Sequence, residues 1–262
     1  MDSQHINALG DELYQALIDC RAVSPLTSRG FDISIDDAYH ISLRMLKNRL
    51  EKNNQHVVGK KIGVTSKVVQ DMLGVDRPDF GFLTNTMQYK NGSHIPIAGH
   101  MIAPRAEAEI GFKLKDTIVG PGVTERDVLN ATEVIMPCFE IVDSRIQDWK
   151  IKIQDTIADN ASCGTFLLGT QTADPRKLDL PNLHVSVTKN GKALSEGLGS
   201  AVQGNPLTAV AWLANTLGEY GIPFEKGEII LSGSLVPLEP VQAGDHMSMT
   251  LAGVGTCDVT FC

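Results

Sequence analysis

The run Arg105-Ala106-Glu107-Ala108-Glu109-Ile110-Gly111-Phe112-Lys113-Leu114 constrains this chain more than any other ten residues. It alternates apolar and polar with period two, the repeat of a β-strand and not of a helix. Ala106, Ala108, Ile110, Phe112 and Leu114 then share one face, and Glu107, Glu109, Gly111 and Lys113 share the other. Two glutamates so placed have Cα atoms roughly 7 Å apart, and they repel unless something positive lies between them. A hard divalent cation meets that need, because Mg²⁺ and Mn²⁺ prefer carboxylate oxygens and keep waters that a substrate can displace. The alternative is a pair of solvated charges on an open sheet face.

A third carboxylate strengthens the first reading. Glu140 sits among apolar neighbours in the strand-like run Pro137-Cys138-Phe139-Glu140-Ile141-Val142-Asp143. Burial there is costly unless the group is paired or ligates a metal. Three carboxylates with three open positions make an octahedral oxygen site able to chelate a 2-oxo acid. Periodicity alone does not bring Glu140 to the other two.

Two further groups suit proton transfer. Lys60 and Lys61 lie between glycines in Gly59-Lys60-Lys61-Ile62-Gly63, where desolvation is expected to lower an ammonium pKa. Spacing does not choose between them. Asp79, in Arg77-Pro78-Asp79-Phe80-Gly81, is by default a turn residue. The polar loops Asp159-Asn160-Ala161-Ser162 and Ser232-Gly233-Ser234-Leu235 can offer hydrogen bonds, with Ser162 and Ser234 as the candidate substrate contacts.

Around these residues the chain reads as a helical N-terminal segment, 1–55, joined to a larger strand-rich α/β body, 56–262. Ile6, Leu9, Leu13 and Leu17 form one helical stripe. Pro25 and Gly30 break it, and Ser34 with Asp37 forms a capping box for a second stripe of Tyr39, Leu43, Leu46 and Leu50. Residues 57–64 read as a strand, and Ser66 is a candidate cap for a short helix ending near Gly74. Residues 246–251 and 256–261 alternate as strands. Asn190-Gly191 marks a tight hairpin. Thr124 with Asp127, and Asn205 followed by Pro206, open two more helices, the second ending at Gly218.

Composition excludes several roles. With 23 Lys+Arg against 31 Asp+Glu the net charge is −8, the wrong sign for a non-specific nucleic-acid binder, although one local cationic site can still hold a small anion. No apolar run reaches the roughly 18 residues of a membrane span. The first thirteen residues are too polar for a signal peptide. Five cysteines without a C-x-x-C pair indicate free thiols in a reducing cytoplasm rather than a disulfide framework or zinc site. G-x-S-x-G, H-E-x-x-H, P-loop and Rossmann patterns are absent. His40 reads as a structural histidine, and Trp149 and Trp212 as core or interface anchors.

Five segments occur in a telling order: Gly59-x-Lys61-Ile62-Gly63-x-Thr65-Ser66, Asp79-Phe80-Gly81-Phe82-Leu83, Ala106-Glu107-Ala108-Glu109-Ile110, Glu140-Ile141-Val142-Asp143-Ser144-Arg145 and Ala158-Asp159-Asn160-Ala161-Ser162. The series resembles the hydratase/decarboxylase branch of the fumarylacetoacetate hydrolase superfamily. It is similar in particular to the 2-hydroxypenta-2,4-dienoate (2-oxopent-4-enoate) hydratases of meta-cleavage pathways for aromatic or steroid compounds. The resemblance implies an α+β fold, a mixed, rolled β-sheet body with peripheral helices. It implies Mg²⁺ or Mn²⁺ on Glu107, Glu109 and Glu140, with Lys61 rather than Lys60, and Asp79, as acid/base groups. It further implies hydration of the dienoate to 4-hydroxy-2-oxopentanoate, a homo-oligomer, and association with a pathway decarboxylase. The 4-oxalocrotonate decarboxylases share these motifs and are the alternative activity; a non-catalytic partner subunit is a second alternative.

Overall fold

The computed structural model describes residues 1–67, 70–71 and 74–262. Helix α1 (Ser3–Ile18) starts where the Asp2 carboxylate accepts from the His5 amide. Helix α2 (Ile35–Lys52) starts at the expected box, in which the Ser34 hydroxyl accepts from the Asp37 amide and the Asp37 carboxylate from the Ser34 amide. Its buried face is wider than the expected stripe. Tyr39, Ile41, Met45 and Leu46 are buried, while Leu43 and Leu50 are only half-buried, because α2 packs against more than one neighbour.

The strands follow as β1 (Val57–Gly63), β2 (Asp79–Thr84), β3 (Gln88–Lys90), β4 (His94–Ile95) and β5 (Arg105–Leu114). Helix α3 (Glu125–Ala131), capped by Thr124, leads into β6 (Thr132–Val142). Helix α4 (Ile153–Ala158) precedes β7 (Cys163–Leu168). The hairpin β8 (His184–Lys189) and β9 (Lys192–Leu198) turns at Asn190-Gly191, both at positive φ, as its dipeptide requires. Helix α5 (Pro206–Glu219) begins at its Asn205 cap and runs one residue past Gly218. Strands β10 (Ile229–Leu231), β11 (Glu239–Pro240), β12 (His246–Leu251) and β13 (Gly255–Phe261) complete the chain. The expectation of a helix between Ser66 and Gly74 falls in part on 68–69 and 72–73, which lie outside the described residues. Asp79 is not in a turn: it opens β2 and is buried.

Two sheets result. The larger has the order β2-β1-β10-β5-β6-β7-β3, with β11 beside β5, and mixes antiparallel pairs with the parallel pairs β1–β10 and β3–β7. The smaller has the order β4-β13-β12-β8-β9, and its β12 and β13 pack on β6. The main core lies on one face of the large sheet. There Ile62, Phe80, Phe82, Ile110, Phe112, Phe139 and Ile141 share one cluster with Leu13 and Ile41 of the N-terminal helices. A smaller apolar cluster, including Leu83, Cys138, Phe166 and Leu231, occupies the opposite face. Among the described residues no helix is long and apolar enough to cross a membrane.

Candidate metal centre

Strand register brings the acidic residues together. β5 and β6 are antiparallel with Glu107 opposite Glu140 and Glu109 opposite Cys138, so all three carboxylates stand on the face of the smaller cluster. One oxygen from each lies within 4.8 Å of the others. Glu109 and Glu140 are buried, while Glu107 keeps partial access. The solvated alternative therefore does not hold for Glu109, and Glu107 faces the same cluster rather than an open sheet face.

The oxygens are poorly satisfied. Glu109 Oε2 accepts from the Gly233 amide at 2.8 Å, but Glu109 Oε1 and Glu140 Oε2 have no hydrogen-bond donor, and Glu140 Oε1 has only the Lys61 ammonium at 3.3 Å. Leaving such atoms buried costs about 1–3 kcal/mol each, more where they carry charge. An all-oxygen, anionic donor set with unfilled lone pairs fits a hard divalent cation. Among the described residues it is the one cluster of metal-ligating side chains with this geometry.

The adjacent lysines separate by strand alternation. Lys61 faces the glutamates, its Nζ 3.3 Å from Glu140 Oε1 and nearly withdrawn from solvent. Lys60 points to the other side, where it pairs with Glu228, donates to the Pro223 carbonyl at 3.0 Å and lies over the Phe224 ring. The expectation of a lowered Lys61 pKa fails for a clear reason. Burial pulls it down, but Glu140, followed by Glu107 and Asp79, holds it above the ordinary lysine value.

Asp79 reaches the same face from β2. Burial pushes its carboxyl up, Lys61 pulls it back, and it settles at about 6; its Oδ1 has no hydrogen-bond donor. Gly63, opposite Asp79 in the ladder, is required here. A Cβ at that position would collide with Asp79 Oδ1 and come within 3.3 Å of Lys61 Nζ. Burial and then Glu140 raise Glu107 to about 7, and burial with both other glutamates lifts Glu109 well above the carboxylate range.

The loop residues divide. Ser162 is buried, its hydroxyl 3.3 Å from that of Thr156, which helps hold the Asp79 carboxyl down against burial. Ser234 is half-buried and donates its hydroxyl to the Val236 carbonyl at 2.7 Å. Its loop touches the cluster instead through the Gly233 amide. Neither that amide nor Thr156 announces itself in the sequence, since an amide has no residue-type signal and Thr156 lies in an unremarkable short helix. Trp149 anchors by donating its indole N–H to the Ala103 carbonyl, just ahead of β5. His40 is exposed, its ring bonded to the Asp36 carbonyl. The five cysteines are free, with Cys138, Cys163 and Cys257 buried, Cys20 half-buried and Cys262 exposed.

Comparison with known proteins identifies the family. Residues 51–262 match the family model of the fumarylacetoacetate (FAA) hydrolase C-terminal domain. The chain is 58% identical over 261 residues to a 2-hydroxyhexa-2,4-dienoate hydratase of Comamonas testosteroni, covering 99% of this chain and 98% of the relative. It is 63% identical over 222 residues to a 2-hydroxypent-2,4-dienoate hydratase of Pseudomonas putida, covering 85% of this chain and all of the relative. A solved structure of 4-oxalocrotonate decarboxylase from Pseudomonas putida G7, complexed with magnesium and adipate, superposes with a TM-score of 0.96. It is 31% identical and covers 100% of this chain and 99% of its own. The chain belongs to the fumarylacetoacetate hydrolase family and has that family's mixed, curled sheet with flanking helices.

Proposed function

We propose that this chain is a metal-dependent hydro-lyase that adds water to 2-hydroxypenta-2,4-dienoate, the enol of 2-oxopent-4-enoate, giving 4-hydroxy-2-oxopentanoate. The observation that carries the reading is the cluster of Glu107, Glu109 and Glu140, with unsatisfied buried oxygens, beside Lys61 and Asp79. Similarity to dienoate hydratases over almost the whole chain supports the substrate class.

The three glutamates would hold one Mg²⁺ or Mn²⁺. When bound, that ion supplies Lewis acidity toward the substrate carboxylate and its C2 oxygen. The remaining work belongs to side chains. A proton leaves O2 and one arrives at C5, giving the conjugated 2-oxo-3-enoate; water then adds at C4 and a proton arrives at C3. Asp79, buried and raised to about 6, is the group suited to take and return these protons near neutral pH. Lys61, held as ammonium, donates hydrogen bonds to developing negative charge on oxygen. The apolar cluster of Leu83, Cys138, Phe166 and Leu231 lies on the same sheet face and would keep bulk water from that side of a bound diene.

Ser162 and Ser234 as substrate contacts, the division at residues 55/56, a cytoplasmic location, a homo-oligomer and association with a pathway decarboxylase belong to the same reading. The superposition on 4-oxalocrotonate decarboxylase favours decarboxylation as the second reading. A partner subunit without activity would have no physical need to gather four carboxylates around one lysine.

The test is direct. Chelator-stripped protein is mixed with the dienoate and loss of its ultraviolet absorbance is followed with added Mg²⁺ or Mn²⁺. Metal-dependent decay to 4-hydroxy-2-oxopentanoate supports the proposal. Absence of decay with any metal, together with CO₂ release from 4-oxalocrotonate, overturns it in favour of the decarboxylase.

A further inference from the structure

We infer that Asn160 is a positioning residue for Asp79, acting by splinting the open edge of β2. The inference rests on the hydratase reading and names a residue which that reading does not use. β2 is the outermost strand of the large sheet, paired only with β1. At Phe82 both backbone groups point away from β1 and need partners. The Asn160 side chain supplies both: its Oδ1 accepts from the Phe82 amide at 2.8 Å and its Nδ2 donates to the Phe82 carbonyl at 3.0 Å. One side-chain amide thus stands in for a missing neighbour strand.

The backbone there is held in an uncommon shape. Asn160, Ala161 and Ser162 have φ of 54°, 50° and 52°, three successive non-glycine residues in the left-handed region. Asparagine tolerates this region; alanine and serine pay for it. Such a turn persists only when its surroundings over-determine it, and these do so. The Ser162 carbonyl accepts from the Asp143 amide at 2.8 Å, and the Ser162 amide donates to the Asp159 carbonyl at 2.9 Å. The Asp159 carboxylate is clamped by the buried Arg145 guanidinium and backbone amide. Gly81 completes the fit, since any Cβ there would run into the Asn160 carbonyl.

The turn reaches Asp79 by two routes. Through Phe82 it fixes the strand that carries Asp79, and the Asn160 carbonyl packs directly against Gly81, two residues from Asp79 in the same strand. None of these contacts involves Glu107, Glu109 or Glu140. Asn160 should therefore govern the proton-transfer group and leave the metal ligands alone.

The experiment compares Asn160→Gly, which accepts the left-handed φ but lacks the splint, with Ala161→Gly, which relaxes the turn and keeps it. Asn160→Asp keeps the acceptor for the Phe82 amide and serves as the conservative variant if Asn160→Gly fails to fold. Expected for Asn160→Gly are faster exchange of the Phe82 amide and a kcat lower by at least about tenfold. Its KM and Mn²⁺ Kd should stay within about twofold of wild type, Asn160→Asp should be intermediate in kcat, and Ala161→Gly near wild type. A kcat within twofold of wild type in either Asn160 variant, with the Phe82 amide deprotected, overturns the inference. So does a Mn²⁺ affinity that weakens in step with kcat. Wild-type turnover of the dienoate in the same assay separates failure of this inference from failure of the hydratase reading.

Discussion

Glu107 and Glu140 stand directly opposite one another in the β5–β6 ladder, with Lys61 Nζ 3.3 Å from Glu140 as the nearest counter-charge. Like charges facing each other across a sheet are destabilising, and Glu109 two residues along adds a third. One ammonium cannot balance three carboxylates. The arrangement is stable near neutral pH only with bound protons or a bound cation, and the two compete for the same oxygens.

Glu107 is raised to about 7 and Glu109 still further above its ordinary value, both chiefly by burial. A carboxyl whose folded pKa exceeds its unfolded one binds more protons in the native state, so metal-free stability falls as pH rises from about 4.5 to 7. Divalent metal binds the deprotonated form, so its affinity rises over the same range. Thermal unfolding of chelator-stripped protein should show a falling Tm across this window and a Mn²⁺-induced increase that grows with pH. A Mn²⁺ effect as large at pH 5 as at pH 8 would contradict this.

Glu107→Gln removes one ligand and one of three repelling charges. Turnover should drop strongly and lose its metal dependence, with the fold retained. The metal-free variant should be at least as stable as metal-free wild type, by on the order of 1 kcal/mol. Steady-state kinetics with and without Mn²⁺, beside denaturant unfolding of the stripped proteins, measures both.

The two neighbouring lysines should behave oppositely. Lys60→Met leaves Glu228 buried without its partner and should cost about 3–5 kcal/mol of stability, with kcat of the folded enzyme close to wild type. Lys61→Met should cut kcat by about 10²–10³ while the metal-loaded protein unfolds near the wild-type temperature. Equal kinetic losses in both would remove the distinction drawn between them.

A saturated 2-oxo acid such as 2-oxopentanoate can chelate but not react. At about 100 times its Kd a ligand adds roughly 2.7 kcal/mol to stability. That increment should appear only when Mg²⁺ or Mn²⁺ is present. Equal stabilisation of the stripped protein would mean that the acid binds elsewhere.

What could be read from the chain depended on how local each feature was. Glu107 and Glu109 sharing a strand face follows from period two over ten residues, and the Asn190-Gly191 hairpin follows from its dipeptide. The approach of Glu140 depends on the register of β6 against β5, set across the intervening α3 and its loops, and no short-range pattern encodes it. Alternation separates Lys60 from Lys61 but does not say which face holds the glutamates; only the resemblance chose Lys61. Pro78 and Gly81 give Asp79 the local signature of a turn residue, yet tertiary pairing with β1 makes it the start of a strand. Desolvation alone points the Lys61 pKa downward, and the sign reverses because distant segments bring three carboxylates near it.

The most direct measurement is anomalous diffraction from crystals of the chain soaked in Mn²⁺. A single strong peak should lie among carboxylate oxygens of Glu107, Glu109 and Glu140, each within about 2.2 Å of it, with Lys61 and Asp79 bordering the open side. No peak at that position, or a peak held by other residues, would contradict the account.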